Sequence, residues 1–371
     1  MQSVSRKKVV LLLSGDLWAG AEVMAYHLLK GLRKYDDLDL SVILLNQGRL
    51  AQEIRNLGIT VHVVDESKTS FLNIFLTIRD ILRKCSPDII HSHRYKENIL
   101  ACLISGFVRN VKLIATQHGM PEVHGAKPGL KQRLMTKLNF FLLSRFFHQS
   151  VVVSRDMQNA CVRQYSFKKK IVSVIHNGID VPEIPTKKCN ERSFVIGSCG
   201  RLFPVKDYSF MVEIAKVILE NTDRVRFELA GDGPERAKLE ALLEQYGLVD
   251  NTTFVLKGHI ENMAAFYQGI DLYLNTSVHE GIPMSVLEAM SHGLPVIAPK
   301  VGGFPEIIDD GVDGYLLSER DPRAFAEKCL VLHENREIWQ EMSRSAKEKI
   351  VRKFSMENMA GQYRDLYFGL V

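Results

Sequence analysis

The stretch Asp271-Leu-Tyr-Leu-Asn-Thr-Ser277-Val-His-Glu280-Gly-Ile-Pro283-Met-Ser-Val-Leu-Glu288-Ala-Met-Ser-His292-Gly-Leu-Pro295-Val-Ile-Ala298 decides the fold class. It opens with a short apolar run (272–275), passes through a polar loop containing Gly281 and Pro283, continues as a helical pattern that carries Glu288, and closes on a second apolar run (295–298). Strand, helix, strand in that order is a βαβ unit, and its two strands are parallel because the helix returns the chain to the starting edge. The alternation continues in both directions. Residues 194–198, 226–230 and 251–256 precede the unit as strands, 314–317 follow it, and helices such as 207–220 and 234–245 lie between. In the N-terminal half, runs at 8–14, 40–45, 60–64, 88–91, 112–116, 150–153 and 171–176 alternate with helical patterns that include 21–32, 50–58 and 71–85. Residues 181–192, with Pro182, Pro185 and a charged cluster, have linker composition. The expected fold is α/β with two doubly wound parallel sheets. The expected domains are 1–182 and 190–354, with a helix at about 355–371 packing back on the first.

Composition agrees with two domains. A chain of 371 residues exceeds what one core holds, since cores rarely grow past about 250 residues. With 46% hydrophobic and 25% charged residues it is neither disordered nor a disulfide miniprotein. No uninterrupted apolar run reaches the roughly 18 residues of a membrane span. The basic start leads into an apolar run at 9–14 that is too short for a signal-peptide core, so a cytoplasmic protein is expected. The six cysteines are scattered without CxxC or zinc spacing, which predicts reduced thiols and no structural metal. Charge is divided unevenly. Residues 1–185 carry 26 Lys and Arg against 15 Asp and Glu, a net of +11, while 186–371 have a net of −6. The bias is sharpest over 123–179, with ten cations and Asp156 as the one acid, and it points to anionic partners of the first half.

Open parallel sheets bind ligands outside the carboxyl ends of their strands. The loops to inspect are therefore 15–20, 91–95 and 117–119 in the first half, and 200–206, 231–233, 258–260, 277–285 and 300–305 in the second. In the first loop, Gly15 and Gly20 have phosphate-loop spacing, but Ala21 and Glu22 replace the lysine and hydroxyl that a nucleoside triphosphatase needs. A GxGxxG dinucleotide fingerprint is absent as well, which disfavours a nicotinamide oxidoreductase. What remains at Gly20 is a turn whose helix-initiating amides suit an anion. In 277–285, Glu280 leaves a strand and Glu288 follows eight residues later, which predicts two carboxylates on roughly one helix face. Between them, Gly281, Ile282, Pro283, Met284 and Ser285 sit near the helix start, where amides favour a phosphate or a sugar hydroxyl. Two acceptor carboxylates flanking such amides suit two polyhydroxy groups joined by a diphosphate.

These residues resemble the donor-site signature of the family 4 retaining glycosyltransferases, which have the two-domain GT-B fold with facing Rossmann-like units. The motifs that carry the resemblance are Glu280-x7-Glu288, Val301-Gly-Gly-Phe-Pro-Glu306 and Gly311-Val-Asp-Gly314, together with Ala19-Gly-Ala-Glu22, Asp88-Ile-Ile-His91, Gln117-His118-Gly119, Asn177-Gly-Ile-Asp180, Gly200-Arg201-Leu202, Lys206, Ala230-Gly-Asp-Gly-Pro234 and Asp271. They span nearly the whole chain in the family's order. The resemblance implies that Glu288 holds the nucleotide ribose and that Glu280 contacts the transferred sugar. It also implies that the amides of residues 281–285 complete the sugar and phosphate contacts. Arg201 and Lys206 would neutralise the leaving diphosphate, as the charge developing there requires. Gly258 and Ile260 would border the base, and His118 would approach the sugar and the acceptor. The resemblance implies a nucleoside diphosphate sugar as co-substrate, with no bound cofactor, no metal and no nucleic-acid partner expected. The acceptor expected is a hydroxyl of a lipid-linked or oligosaccharide precursor of the cell envelope.

Two positions depart from the family pattern: Ala19 stands in place of a second glycine, and Asp207 in place of glycine or asparagine. Asp37-Leu-Asp39 matches a metal-binding DxD formally, but it falls at the wrong end of the sheet and reads as a solvated turn. Residues 126–147 are free of acids and rich in Leu, Phe and cations, including Lys127, Lys131, Arg133 and Lys137. They fit either an amphipathic segment meeting an anionic membrane or acceptor, or a core helix with a basic outer face. Two other functions stay open at this stage. One is a noncatalytic binder of carbohydrate or nucleic acid, suggested by the basic half. The other is a phosphorylase or epimerase on the same fold.

Overall fold

Parallel strands covered by helices on both faces must be apolar on both faces, which is why the strand runs are continuous rather than alternating. The computed structural model describes residues 6–16, 18–119, 129–183, 193–248 and 252–370, the side chain of Lys131 excepted. The chain divides into two units, one running to Asp180 and resuming at Ser355, the other spanning Val181–Phe354.

The first unit contains β1 (Lys7–Leu13), α1 (Gly20–Leu32), β2 (Leu38–Leu44), α2 (Arg49–Asn56), β3 (Thr60–Val63), α3 (Phe71–Cys85), β4 (Ile89–Ser92), α4 (Tyr95–Ser105), β5 (Lys112–Gln117), α5 (Leu130–Phe146), β6 (Gln149–Val152), α6 (Arg155–Gln164) and β7 (Val172–Val174). All seven strands are parallel, in the order β3-β2-β1-β4-β5-β6-β7, so β1 lies between β2 and β4. Val9 to Leu13 at its centre are buried.

The second unit contains β8 (Phe194–Cys199), α7 (Tyr208–Leu219), β9 (Val225–Ala230), α8 (Arg236–Gln245), β10 (Phe254–Gly258), α9 (Met263–Gly269), β11 (Leu272–Leu274), α10 (Met284–Ser291), β12 (Val296–Pro299), α11 (Phe304–Ile307), β13 (Gly314–Leu317), α12 (Pro322–Glu334) and α13 (Arg336–Lys353). Its order is β10-β9-β8-β11-β12-β13. The switch point between β8 and β11 is where ligands collect in such sheets. Trp339 of α13 is fully buried and donates Nε1–H to the carbonyl of Asp271 at 2.7 Å. The Asp271 carboxylate accepts from the Val195 amide at 2.9 Å, so this residue joins β11 to β8 and does not face the ligand end of the sheet.

The last helix, α14 (Met356–Leu370), belongs to the first unit and packs on α1. Contact is close at Gly31, where an added Cβ would lie 2.6 Å from the Ala360 Cβ. Arg364 of α14 grips Asp37, its Nε lying 3.0 Å from Oδ2, while its guanidinium covers the Tyr35 and Phe368 rings. This corrects the reading of Asp37 as a solvated turn: it is the anchor of a helix more than 300 residues later in the chain.

Candidate active site

The polypeptide leaving β8 forms a 3-10 turn at Pro204–Lys206, and Asp207 then takes a left-handed conformation at φ 43° before α7 begins. Glycine and asparagine are the residues that adopt this region at least cost, and an aspartate does so more readily than most side chains. The departure at Asp207 therefore keeps the turn. Ala19 keeps its turn by a different route, adopting an extended N-cap conformation at φ −136° that needs no glycine.

The turn at Pro204–Lys206 presents Lys206 to the loop leaving β11. Lys206 Nζ lies 2.5 Å from Glu280 Oε1, and Ser277 Oγ donates to the same oxygen at 2.9 Å. The backbones are tied as well, since Val278 N donates to Val205 O at 2.8 Å and Thr276 Oγ1 to Lys206 O at 2.9 Å. From the other side, Gly303 N donates to the Glu280 carbonyl at 3.0 Å. Gly302, at φ 53°, allows this approach, because a Cβ there would sit 2.0 Å from that oxygen.

Glu288 stands apart from this cluster. Helix α10 starts only at Met284, after Pro283 at φ −71° and ψ 122°, so Glu280 is a loop residue and Glu288 is the fifth residue of the helix. The expectation that both carboxylates lie on one helix face is corrected. Proline disfavours helical geometry in the residue before it and lacks an amide hydrogen, which delays the helix. The first-turn amides, those of Met284 and Ser285, are the ones without an intrahelical acceptor. Glu288 Oε2 accepts from the Tyr267 hydroxyl at 2.8 Å. Burial raises the carboxyl above the ordinary range, and this hydrogen bond partly offsets the rise.

Arg201 is exposed, with its guanidinium 4.7 Å from the Phe203 ring centroid. Gly258 and Ile260 follow β10, and the Gly258 carbonyl accepts from Gly231 N at 2.7 Å. Arg320 was not anticipated. Its Nη2 donates to Asp207 Oδ2 at 2.6 Å and to the Thr276 carbonyl at 3.1 Å, and its guanidinium lies 4.5 Å from the Phe210 ring centroid. It thus joins the two loops that carry Lys206 and Glu280. Nothing local in the sequence around Arg320 signals this, since its partners lie 44 and 113 residues away.

In the first unit, Gly20 opens α1 and His118 follows β5. His118 Nε2 lies 2.9 Å from His93 Nδ1, with the rings stacked. His91 is fully buried between Tyr367 and Thr116, at 2.7 and 2.8 Å, which gives it a structural role. Desolvation pushes His118 down to about 3, with the Arg94 charge adding to the effect, so this ring is neutral at physiological pH. Arg94 itself is held by Glu22 at 2.5 Å and Asp16 at 3.1 Å. Glu97, in the first turn of α4, is buried, and among the described residues neither carboxylate oxygen has a hydrogen-bond partner. Burial pushes it up to about 7. No group of three or more His, Cys, Asp and Glu among the described residues is arranged to hold a metal ion.

Helix α5 presents Arg133 and Lys137 to solvent, whereas Lys127 and the side chain of Lys131 lie outside the described residues. Among the described residues, no helix is long and apolar enough to cross a membrane.

The sequence profile of Glycosyltransferase Family 4 matches residues 18–183, and that of Glycosyl transferases group 1 matches residues 182–349. The UDP-Gal:alpha-D-GlcNAc-diphosphoundecaprenol alpha-1,3-galactosyltransferase of Escherichia coli is 26% identical over 310 residues, covering 80% of this chain and 79% of the relative. The N-acetyl-alpha-D-glucosaminyl L-malate synthase of Bacillus anthracis is 25% identical over 305 residues, covering 79% and 77%. Among solved structures, HepE of Anabaena in complex with UDP and glucose superposes with a TM-score of 0.84 over 98% of this chain and all of that one, at 20% identity. Two parallel sheets in these strand orders, the paired motifs and the profile matches agree: the chain belongs to glycosyltransferase family 4 and has the GT-B fold.

Proposed function

We propose that this protein is a retaining glycosyltransferase that moves a hexose or related sugar from a nucleoside diphosphate sugar to a hydroxyl acceptor. The acceptor class is a lipid-linked or polysaccharide precursor of the cell envelope, met at the inner face of the membrane. The observation that carries the reading is the Lys206–Glu280 pair, set between the 3-10 turn after β8 and the start of α10. A cation and a carboxylate held 2.5 Å apart supply what the two ends of a donor need, positive charge for the departing diphosphate and an acceptor for sugar hydroxyls.

In this reading Glu288 takes the ribose hydroxyls, and the amides of residues 281–285 meet the sugar and the nearer phosphate. Gly258 and Ile260 border the base. As the glycosidic bond breaks, electrons pass to the diphosphate oxygen, and Lys206 and Arg201 stabilise the charge that accumulates there. That oxygen takes the acceptor hydroxyl proton while the hydroxyl attacks from the same face, which retains the anomeric configuration. Glu280 and the neutral His118 position the sugar and the acceptor. Because fixed cations offset the leaving-group charge, no divalent ion is required.

The E. coli relative uses a UDP-sugar by name and HepE was solved with UDP, so uridine diphosphates are the first ligands to test. A nucleotide at about 100 times its Kd stabilises its binder by about 2.7 kcal/mol, which a thermal shift reads easily. Product made from the matching donor should keep the donor's anomeric configuration by NMR, at a rate unchanged by chelator. Absence of any stabilising nucleoside diphosphate, an inverted product, or loss of rate on chelation with rescue by magnesium or manganese would each overturn the corresponding part.

A further inference from the structure

Helix α5 is apolar on the side that faces water. Leu130, Leu134, Leu138 and Phe141 are 85%, 65%, 40% and 58% exposed, and their spacing of four, four and three residues places them on one stripe. Arg133, Lys137 and Arg145 are exposed beside that stripe, and the helix contains no Asp or Glu. Asn139, Phe140 and Leu143 occupy the buried side. The layer extends to the neighbouring helices, since α5 packs on α4 and α4 on α3. Phe107, just past α4, is half-exposed and meets Phe75 of α3 edge to face at 5.8 Å. Of the thirteen large apolar side chains that are exposed among the described residues, ten belong to this three-helix layer and its connecting turn. An aggregate of that kind on one face marks an interaction surface, whereas scattered exposed apolar residues do not.

We propose that the α3–α4–α5 layer docks on an anionic phospholipid bilayer, with the α5 stripe entering the headgroup and acyl boundary and Arg133, Lys137 and Arg145 meeting the phosphates. An apolar centre edged by cations is the pattern of a helix lying in a membrane interface. The charge complementarity extends beyond the helix, because residues 1–185 have a net charge of +11. Three of the four stripe residues are leucines, which offer nucleic-acid bases neither stacking nor hydrogen bonds, so the stripe suits a bilayer better than that partner. The inference stands on exposure and charge and is independent of the glycosyl-transfer reading. Each Lys or Arg near an anionic surface strengthens binding about fivefold. That contribution fades at high salt, where the Debye length falls to about 3 Å, while apolar insertion persists.

The test is sedimentation of the full chain with phosphatidylglycerol-containing or phosphatidylcholine-only vesicles, without donor or acceptor. Wild type should partition onto the anionic vesicles and keep part of that binding in about 1 M salt. The variant Leu134→Ser/Leu138→Ser/Phe141→Ser should lose about tenfold or more and lack the salt-resistant fraction. Arg133→Glu/Lys137→Glu/Arg145→Glu should lose the preference for anionic over neutral vesicles. Ile338→Ser/Val351→Ser, which removes exposed apolar residues of α13, should bind as wild type does. All the changed side chains are exposed, and thermal unfolding verifies that each variant is folded. Wild type that stays in the supernatant overturns the proposal, as does an apolar triple variant that sediments like wild type. A wild-type dimer that the apolar variant converts to monomer, with no vesicle binding by either, would assign the face to subunit contact instead.

Discussion

Lys206 and Glu280, 74 residues apart in sequence, form an ion pair of 2.5 Å within the site, with Ser277 as a second donor to the carboxylate. Each neutralises the other before any ligand arrives. Under the proposed function, a nucleoside diphosphate without its sugar would draw Lys206 toward phosphate and leave Glu280 beside that negative charge, whereas an intact donor would offer sugar hydroxyls to Glu280.

Glu280→Gln is accordingly expected to bind free nucleoside diphosphate more tightly, by about 1 kcal/mol, while turnover falls. Titration calorimetry with the diphosphate and initial rates with the sugar donor separate the two effects. A variant with weaker diphosphate binding and unchanged turnover would remove Glu280 from the sugar subsite.

Glu288→Ala should weaken diphosphate binding by roughly 1.5 to 3 kcal/mol through loss of a charge-assisted hydrogen-bond site. Tyr267→Phe, which removes only the hydroxyl that holds the carboxylate at 2.8 Å, should show the same sign at about 1 kcal/mol or less. Equal nucleotide affinity in wild type and Glu288→Ala would refute the ribose assignment.

Arg320 tests whether the two loops must be held together. Arg320→Ala should lower kcat/KM about tenfold, close to 1.4 kcal/mol of transition-state stabilisation, with a small change in Tm because the side chain is partly exposed. Arg320→Lys should fail to restore the rate, since an ammonium cannot bridge Asp207 and Thr276 while lying flat on Phe210. Full activity in the lysine variant would reduce Arg320 to a source of charge.

Glu97 predicts a pH dependence of stability. Its carboxyl is pushed up to about 7 by burial, so between the ordinary value near 4.5 and 7 the folded protein holds more protons than the unfolded chain. Stability therefore falls as pH rises through that window, by about 3 kcal/mol from this group. Glu97→Gln should match wild type near pH 4 and exceed it at pH 8 in denaturant titrations. Parallel stability profiles for the two proteins would show that Glu97 is solvated or partnered in solution.

The thirteen strands of the described residues and their parallel arrangement are legible in the sequence because strands covered on both faces make uninterrupted apolar runs, which locate each strand within a residue or two except at β10. The loops that carry Arg201, Lys206 and Glu280 follow from the same reading, since ligand loops leave the carboxyl ends of such strands. The contacts among these residues do not follow from local pattern. Lys206 meets Glu280, and Arg320 joins their loops, because β11 pairs with β8 across the switch point of the sheet, an adjacency between strands far apart in the chain. The exposed side of α5 was equally hidden: its Leu and Phe residues are distributed around the helix, and only packing on α4 decides which of them are covered. Asp37 likewise acquires its role only when α14 returns to α1 and brings Arg364 to it. Local periodicity determines the elements and their order. Which loop residues become partners is decided by sheet order and helix packing, where contact free energy is gained between segments that the sequence separates by tens to hundreds of residues.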